Sequence, residues 1–119
     1  MTPKAPAKRP GPRRHPGIDK ARLAEMIEEA TVDAHDESEQ AIGWFTMLEQ
    51  HLALPFETQV LGITVSVAKI DLGNDDRISV ICTRGRYHQA ISLVDLPLPS
   101  PLPEGGEWIE AYRHWRRGR

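Results

Sequence analysis

The chain has 119 residues, one cysteine and a formal net charge of −2. This length predicts one domain, and the lone Cys82 excludes an internal disulfide framework and a cysteine-based zinc site. No apolar stretch approaches the roughly 20 residues that span a bilayer, and the start lacks the apolar region of a secretory signal, so we expect a cytoplasmic protein.

The small net charge hides an uneven distribution along the chain. Residues 1–17 carry five basic residues and no acid, and residues 113–119 carry four arginines and no acid. All 17 acidic residues lie between Asp19 and Glu110 with only six basic ones, which gives that region a net charge of −11. Such a region attracts cations and repels nucleic acid. We expect three parts: a disordered basic tail (1–17), one α+β domain (18–116) and a basic C-terminal end (117–119).

Two helices are predicted at the start of the acidic region. Asp19 can cap the first over residues 20–35, where apolar residues recur at helical spacing. Asp36 and Glu39 have the spacing of a capping box for the second helix. We end this second helix before Pro55, because the residue preceding a proline disfavours the α region.

After the helices the hydrophobic period becomes that of strands. Alternating apolar residues predict strands that begin at Ile63, Ile78 and Tyr87, separated by turn clusters at 73–76 and 84–86. Short turns of this kind join antiparallel neighbours, so the strands form a meander.

The C-terminal part reads as an extended segment followed by a helix. Prolines recur at every second position from 97 to 103 and predict an extended strap across the surface. A last helix is predicted over residues 104–116, where Trp108, Tyr112 and Trp115 form an apolar stripe. That stripe is typical of a core contact and needs no ligand to explain it.

The junction of the first two helices is strongly acidic. Four carboxylates fall within seven residues: Asp33, Asp36, Glu37 and Glu39. Calcium takes six to eight oxygen ligands, many of them carboxylates and loop carbonyls, so this junction could supply several. The alternative is that Asp36 and Glu39 cap the helix and the others are solvated, and spacing alone favours that alternative.

A second acidic cluster lies in the turn between two predicted strands. Its oxygen-bearing side chains could bind a cation together with carbonyls of the same loop: Asp71, Asn74, Asp75 and Asp76. The alternative is ordinary turn chemistry, which uses asparagine, aspartate and glycine, and the composition favours it. The D-x-D-x-D-G pattern of an EF-hand loop is absent from both clusters.

A basic hairpin offers a different function. Arg84, Arg86 and His88 flank Tyr87, and basic residues interleaved with an aromatic can bind RNA. Together with the basic ends, this hairpin could bind nucleic acid weakly or bind a protein partner. The chain would then be a non-enzymatic adaptor. The commoner role of such arginines is to solubilise a sheet edge. No arrangement of nucleophile and base is recognisable, so we predict that the protein is not an enzyme and has no catalytic residue.

Two segments carry a family resemblance. Residues 32–61 read VDAHDESEQAIGWFTMLEQHLALPFETQVL, and residues 107–115 read EWIEAYRHW. Both resemble the cyanobacterial-type calcium-binding protein family, small bacterial proteins with a helical start, a barrel-like body and a closing helix. The matching residues of the first segment are Val32, Asp33, Ala34, Glu39, Gly43, Trp44, Leu48, Glu49, Leu52, Pro55 and Phe56.

The resemblance implies a fold and a function. The fold would be α+β: two N-terminal helices, a small antiparallel sheet curled toward an SH3-like barrel, and a C-terminal helix. The function would be reversible Ca²⁺ binding, as a buffer or a sensor, through the two acidic clusters. Asp33 and Glu39 match the family pattern most directly. Calcium is the only cofactor implied, and no membrane contact is expected.

Overall fold

A computed structural model describes residues 18–118 of the chain, so the predicted tail of residues 1–17 lies outside the described part. The described residues form three helices and a four-stranded antiparallel sheet, which confirms the predicted α+β class. Within that part of the chain, no helix combines the length and the apolar character that crossing a bilayer requires. The elements are α1 (Lys20–Thr31), α2 (Glu37–His51), β1 (Phe56–Val60), β2 (Ile63–Leu72), β3 (Ile78–Arg84), β4 (Tyr87–Ser92), a 3₁₀ turn (Leu93–Asp95) and α3 (Gly106–Arg117).

Helix α1 begins as predicted and ends earlier than predicted. The Asp19 carboxylate accepts a hydrogen bond of 2.8 Å from the backbone N–H of Arg22 and caps the helix. The helix stops at Thr31 because Val32 is extended and Asp33 is left-handed, with φ 59°. Aspartate tolerates this conformation better than most residues. The prediction of a helix to residue 35 is therefore wrong, and Asp33 lies in the junction between α1 and α2.

The sheet is a meander in the order β1-β2-β3-β4, with one strand more than the sequence predicted. The additional strand β1 is joined to β2 by Leu61 and Gly62, whose φ angles of 52° and 78° make the two-residue turn that hairpins favour. Strands β1 and β4 are the two edges of this order, so the sheet is open. The curl toward an SH3-like barrel remains a prediction.

The core lies between the helices and one face of the sheet, around an aromatic cluster. Trp44 of α2 is fully buried, and its ring centroid lies 6.2 Å from Trp108, 5.8 Å from Tyr112 and 5.6 Å from Trp115, all three on α3. The Tyr112 hydroxyl accepts a hydrogen bond of 3.4 Å from the backbone N–H of Ile78. This bond ties α3 to the first residue of β3, directly after the acidic turn.

The buried thiol of Cys82 predicts a pH effect on stability. Burial raises the pKa of this thiol above its ordinary value. An unfolded chain ionises its thiol near pH 8.5, whereas the folded chain releases the proton only at a higher pH. The thiol's contribution to the free energy of unfolding is therefore complete below the unfolded pKa and declines above it. Between pH 7.5 and pH 9.5, the free energy of unfolding measured in urea should fall further for the native chain than for Cys82→Ala. Equal losses would contradict this placement of Cys82.

Candidate functional site

The first acidic segment is organised by the start of α2. The Asp36 carboxylate accepts a hydrogen bond of 2.8 Å from the N–H of Glu39, and the Glu39 carboxylate accepts one of 2.6 Å from the N–H of His35. The Asp36 carboxylate therefore satisfies a backbone donor that the helix itself leaves without a partner, and the Glu39 carboxylate satisfies the N–H of His35, which precedes the helix. This is the capping alternative that the spacing favoured, and it leaves Glu37 as the acidic residue at the first position of the helix.

The second acidic segment forms the tight turn between β2 and β3. The Gly73 N–H donates to the carbonyl of Arg77 at 2.9 Å, and the Asp76 N–H donates to the carbonyl of Gly73 at 3.1 Å. The Asp75 carboxylate accepts from the N–H of Arg77 at 3.1 Å. Asp76 adopts a left-handed φ of 65°, which turns the chain toward β3. Ordinary turn chemistry thus shapes the loop.

The two acidic segments meet in space. The Ser38 hydroxyl donates a hydrogen bond of 2.9 Å to the Asp76 carboxylate across 38 positions of sequence. Beside this contact, Glu37, Asp75 and Asp76 line one cleft with a volume of about 220 Å³. The structure therefore joins three of the eight predicted ligand residues in a single place.

Two arginines, a tryptophan and Ala41 also line the cleft. Arg77 comes from the turn, and Arg116 and Trp115 come from the last turn of α3. Arg77 lies 3.8 Å from the Asp75 carboxylate, measured from Nε to Oδ2. Among the residues that the structure describes, three carboxylates and two guanidinium groups give the lining a net charge of −1. A cation that enters the cleft would be attracted by the carboxylates and repelled by the guanidinium groups.

The five other predicted ligand residues do not line this cleft. Asp71 is exposed on β2 opposite Ser79, and Asn74 and Asp33 are exposed as well. Within residues 18–118, no three histidine, cysteine, aspartate or glutamate side chains are grouped closely enough to hold a metal ion. The lining offers the hard oxygen donors that calcium prefers, and binding through all three carboxylates would require their side chains to rotate inward.

Sequence reasoning missed Arg77, Trp115 and Arg116, which line the cleft, and Ser38, which contacts Asp76 beside it. Nothing in the local pattern marks them, because their proximity depends on how α3 packs against the start of α2 and the β2–β3 turn. The acidic composition of the two segments was the available signal, and three of the residues it indicated line the cleft: Glu37, Asp75 and Asp76. Their role as metal ligands stays a prediction.

The basic hairpin lies at the tip of the β3–β4 turn. The Arg84 side chain donates a hydrogen bond of 3.0 Å to the carbonyl of Thr64, and the Arg86 guanidinium lies over the Tyr87 ring at 5.5 Å. Arg84 is thus tied to the neighbouring strand β2, although the residue remains exposed. A role for this hairpin and the basic tail in binding nucleic acid or a protein stays a prediction.

Comparison with known proteins agrees with the resemblance seen in the sequence. A family model described as calcium binding matches residues 24–116. The crystal structure of Anabaena CcbP is similar with a TM-score of 0.66 and 22% sequence identity, over 83% of this chain and 91% of that chain, and this likeness supports the fold. No curated protein matches the sequence. Because the family model spans most of the chain, the chain belongs to this calcium-binding family.

Proposed function

We propose that this protein binds Ca²⁺ reversibly in the cleft between the start of α2 and the β2–β3 turn, and acts as a calcium buffer or sensor. The observation that carries the proposal is the meeting of two acidic segments at Ser38 and Asp76, with Glu37 and Asp75 beside them. Membership of a calcium-binding family supports the choice of ion.

The chemistry of the lining favours calcium over softer metals. Glu37, Asp75 and Asp76 would be the direct carboxylate ligands, with the Ser38 hydroxyl and turn carbonyls as further oxygen donors. Among the described residues of the lining there is no histidine or cysteine, the ligands typical of zinc and copper sites. Asn74 would offer an amide oxygen from the same turn, and the remaining predicted carboxylates would add negative potential around it: Asp33, Asp36, Glu39 and Asp71.

Trp115 provides a way to distinguish a sensor from a buffer. It lines the cleft, and its ring lies 5.6 Å from Trp44 and 6.1 Å from Tyr112, so a movement at the cleft would reach the aromatic core. A sensor changes conformation when calcium binds, whereas a buffer changes little. A calcium-dependent shift of tryptophan emission would support the sensor, and unchanged emission at saturation would support the buffer.

The proposed function is tested by a calorimetric calcium titration of the full chain after chelator treatment, with millimolar magnesium as competitor. We expect saturable heat that magnesium does not abolish, because flexible oxygen-rich sites suit calcium better than the strictly octahedral magnesium. Absence of heat at millimolar calcium would contradict the proposed function outright.

Replacing Arg116 by glutamine should strengthen calcium binding. The change removes one of two guanidinium groups and takes the lining from a net charge of −1 to −2. With a surface dielectric, such a change is worth on the order of 1 kcal/mol, or about five-fold in affinity. The matched control is Arg117→Gln, an exposed arginine one position along the same helix that does not line the cleft. Equal gains in both variants would indicate a diffuse charge effect and not a site beside Arg116.

A further inference from the structure

The inner face of the sheet extends beyond the helices that cover it. Val67 of β2 is fully buried in the core, and strand alternation places Val65 and Ile63 on the same face, further along β2. Val60 of β1 pairs with Ile63. Val60, Ile63 and Val65 line an open groove of about 410 Å³ that reaches across to Tyr87 on β4. The groove is therefore a continuation of the core that the described residues leave uncovered.

The groove concentrates the exposed apolar side chains of the molecule. Leu61 is 97% exposed, Tyr87 69% and Ile63 50%, and all three line it. The other large apolar side chains with high exposure, Val32 and Ile42, belong to the helical part and do not line the groove. Grouped exposure of this kind is typical of a binding surface, whereas single exposed apolar residues are common everywhere.

The groove adjoins a sheet edge that lacks the usual protection. Strand β4 is the last strand in the sheet order, so one side of its backbone has no strand partner within residues 18–118. Its sequence, YHQAIS, contains no lysine, proline or acidic residue, and its first four residues are exposed. Natural edges normally carry such residues or a bulge to prevent pairing. An edge without them can accept an additional strand.

Charge indicates what kind of segment would fit. Arg84 and His88 line the groove and Arg86 follows at the hairpin tip, while no described carboxylate lines it. This surface is basic although the region between Asp19 and Glu110, to which it belongs, has a net charge of −11. The basic tail of residues 1–17 would be repelled there. A second copy would need roughly 800 Å² from each partner for a stable dimer, which is far more than three exposed side chains supply.

We propose that the groove and the outer edge of β4 bind an extended segment of a partner protein in which apolar and acidic side chains alternate. Its backbone would pair with β4, and its apolar side chains would enter the groove that Leu61 and Tyr87 line. Its carboxylates would alternate onto the other face, where His88 lies, close to the hairpin tip that carries Arg86. The interaction uses none of the residues of the calcium cleft.

The proposal is tested with two nine-residue peptides, one alternating glutamate and valine and the other alternating lysine and valine. Fluorescence anisotropy with the full-length chain in excess EGTA keeps the result independent of calcium. We expect the acidic peptide to bind at least ten-fold more tightly than the basic one. The double variant Arg84→Glu/Arg86→Glu should reverse this preference. Lys20→Glu/Lys69→Glu makes the same charge change at exposed residues outside the groove and should preserve it.

A second pair of variants tests the apolar contacts. Leu61→Asn/Tyr87→Ser should weaken binding of the acidic peptide at least ten-fold. Asparagine is chosen at position 61 because it tolerates the left-handed backbone there. Val32→Ser/Ile42→Ser removes two comparably exposed apolar side chains elsewhere and should leave binding unchanged. Thermal unfolding of each variant shows that it is folded.

Several results would overturn the proposal. They are equal affinity for the two peptides, no binding at millimolar peptide, and preferential binding of a single-stranded oligonucleotide. Tighter peptide binding after the five basic residues of the tail are replaced by serine would assign the groove to the chain's own N-terminal segment. A dimer in sedimentation that Leu61→Asn abolishes would assign it to a second copy.

Discussion

The Gly43→Ala variant is expected to lose about 2 kcal/mol or more of unfolding free energy, although alanine in a helix is normally better than glycine by about 1 kcal/mol. A Cβ atom at position 43 would overlap the carbonyl oxygen of Ala30 on α1. A backbone atom cannot rotate away, so α1 and α2 would have to separate around the buried Ala30 and Trp44. Overpacking of a core typically costs 1–3 kcal/mol and occasionally more.

Thermal and urea unfolding measure this effect. A loss of 2 kcal/mol should lower the melting temperature by roughly 8 °C or more in a domain of this size. The control is Gly85→Ala. The backbone at Gly85 has a left-handed φ of 59°, and nothing lies within 4 Å of the Cβ atom that alanine would add. That change should cost only about 1 kcal/mol, the penalty of a left-handed alanine. A melting temperature that is raised or unchanged in Gly43→Ala would show that the helices do not cross at Gly43.

The triple variant Glu37→Gln/Asp75→Asn/Asp76→Asn is expected to weaken calcium binding at least 100-fold, equivalent to about 2.7 kcal/mol. It removes every carboxylate that lines the cleft, and carboxylate charge is what sets the affinity of oxygen-ligand calcium sites. The fold should survive. Asparagine adopts left-handed φ angles readily, as position 76 requires, and its amide oxygen can accept the hydrogen bond that Asp75 accepts from Arg77.

A charge-matched control distinguishes a site from a general acidic surface. Glu28→Gln/Glu29→Gln/Glu49→Gln removes three exposed carboxylates of α1 and α2 that do not line the cleft. Calorimetry should find its calcium affinity within a few-fold of the native value, because exposed charges at a distance are screened by salt. If the control loses as much affinity as the triple variant, calcium is attracted by the acidic body as a whole.

Local sequence chemistry predicts much of this fold, because caps and turns act over a few residues. Asp19 and Asp36 cap the helices that their spacing indicated, and Gly73–Asp76 and Gly85 make the predicted turns. Strand β1 could not be predicted in the same way. Its residues, FETQV, have one buried member, Thr58, whose hydroxyl donates to the carbonyl of Pro97 at 2.6 Å. A buried threonine with a partner 39 positions away leaves no local signal.

The candidate site was predictable in composition and not in arrangement. The acidic clusters near residues 33–39 and 71–76 were evident, yet only Glu37, Asp75 and Asp76 come together. The rest are separated by backbone details that local pattern does not specify, such as the left-handed Asp33 that ends α1. Arg116 joins the cleft only because α3 packs against Trp44, a contact that depends on the whole core.

The most direct test of the account is a calcium titration followed by amide and indole resonances of the full chain in two-dimensional NMR. We expect the largest shifts at Glu37 and Ser38, at Gly73–Arg77 and at the indole of Trp115, and we expect them to saturate together. Shifts that spread over exposed α1 carboxylates such as Glu28 and Glu29, with no saturation at the cleft, would contradict a calcium site between α2 and the β2–β3 turn.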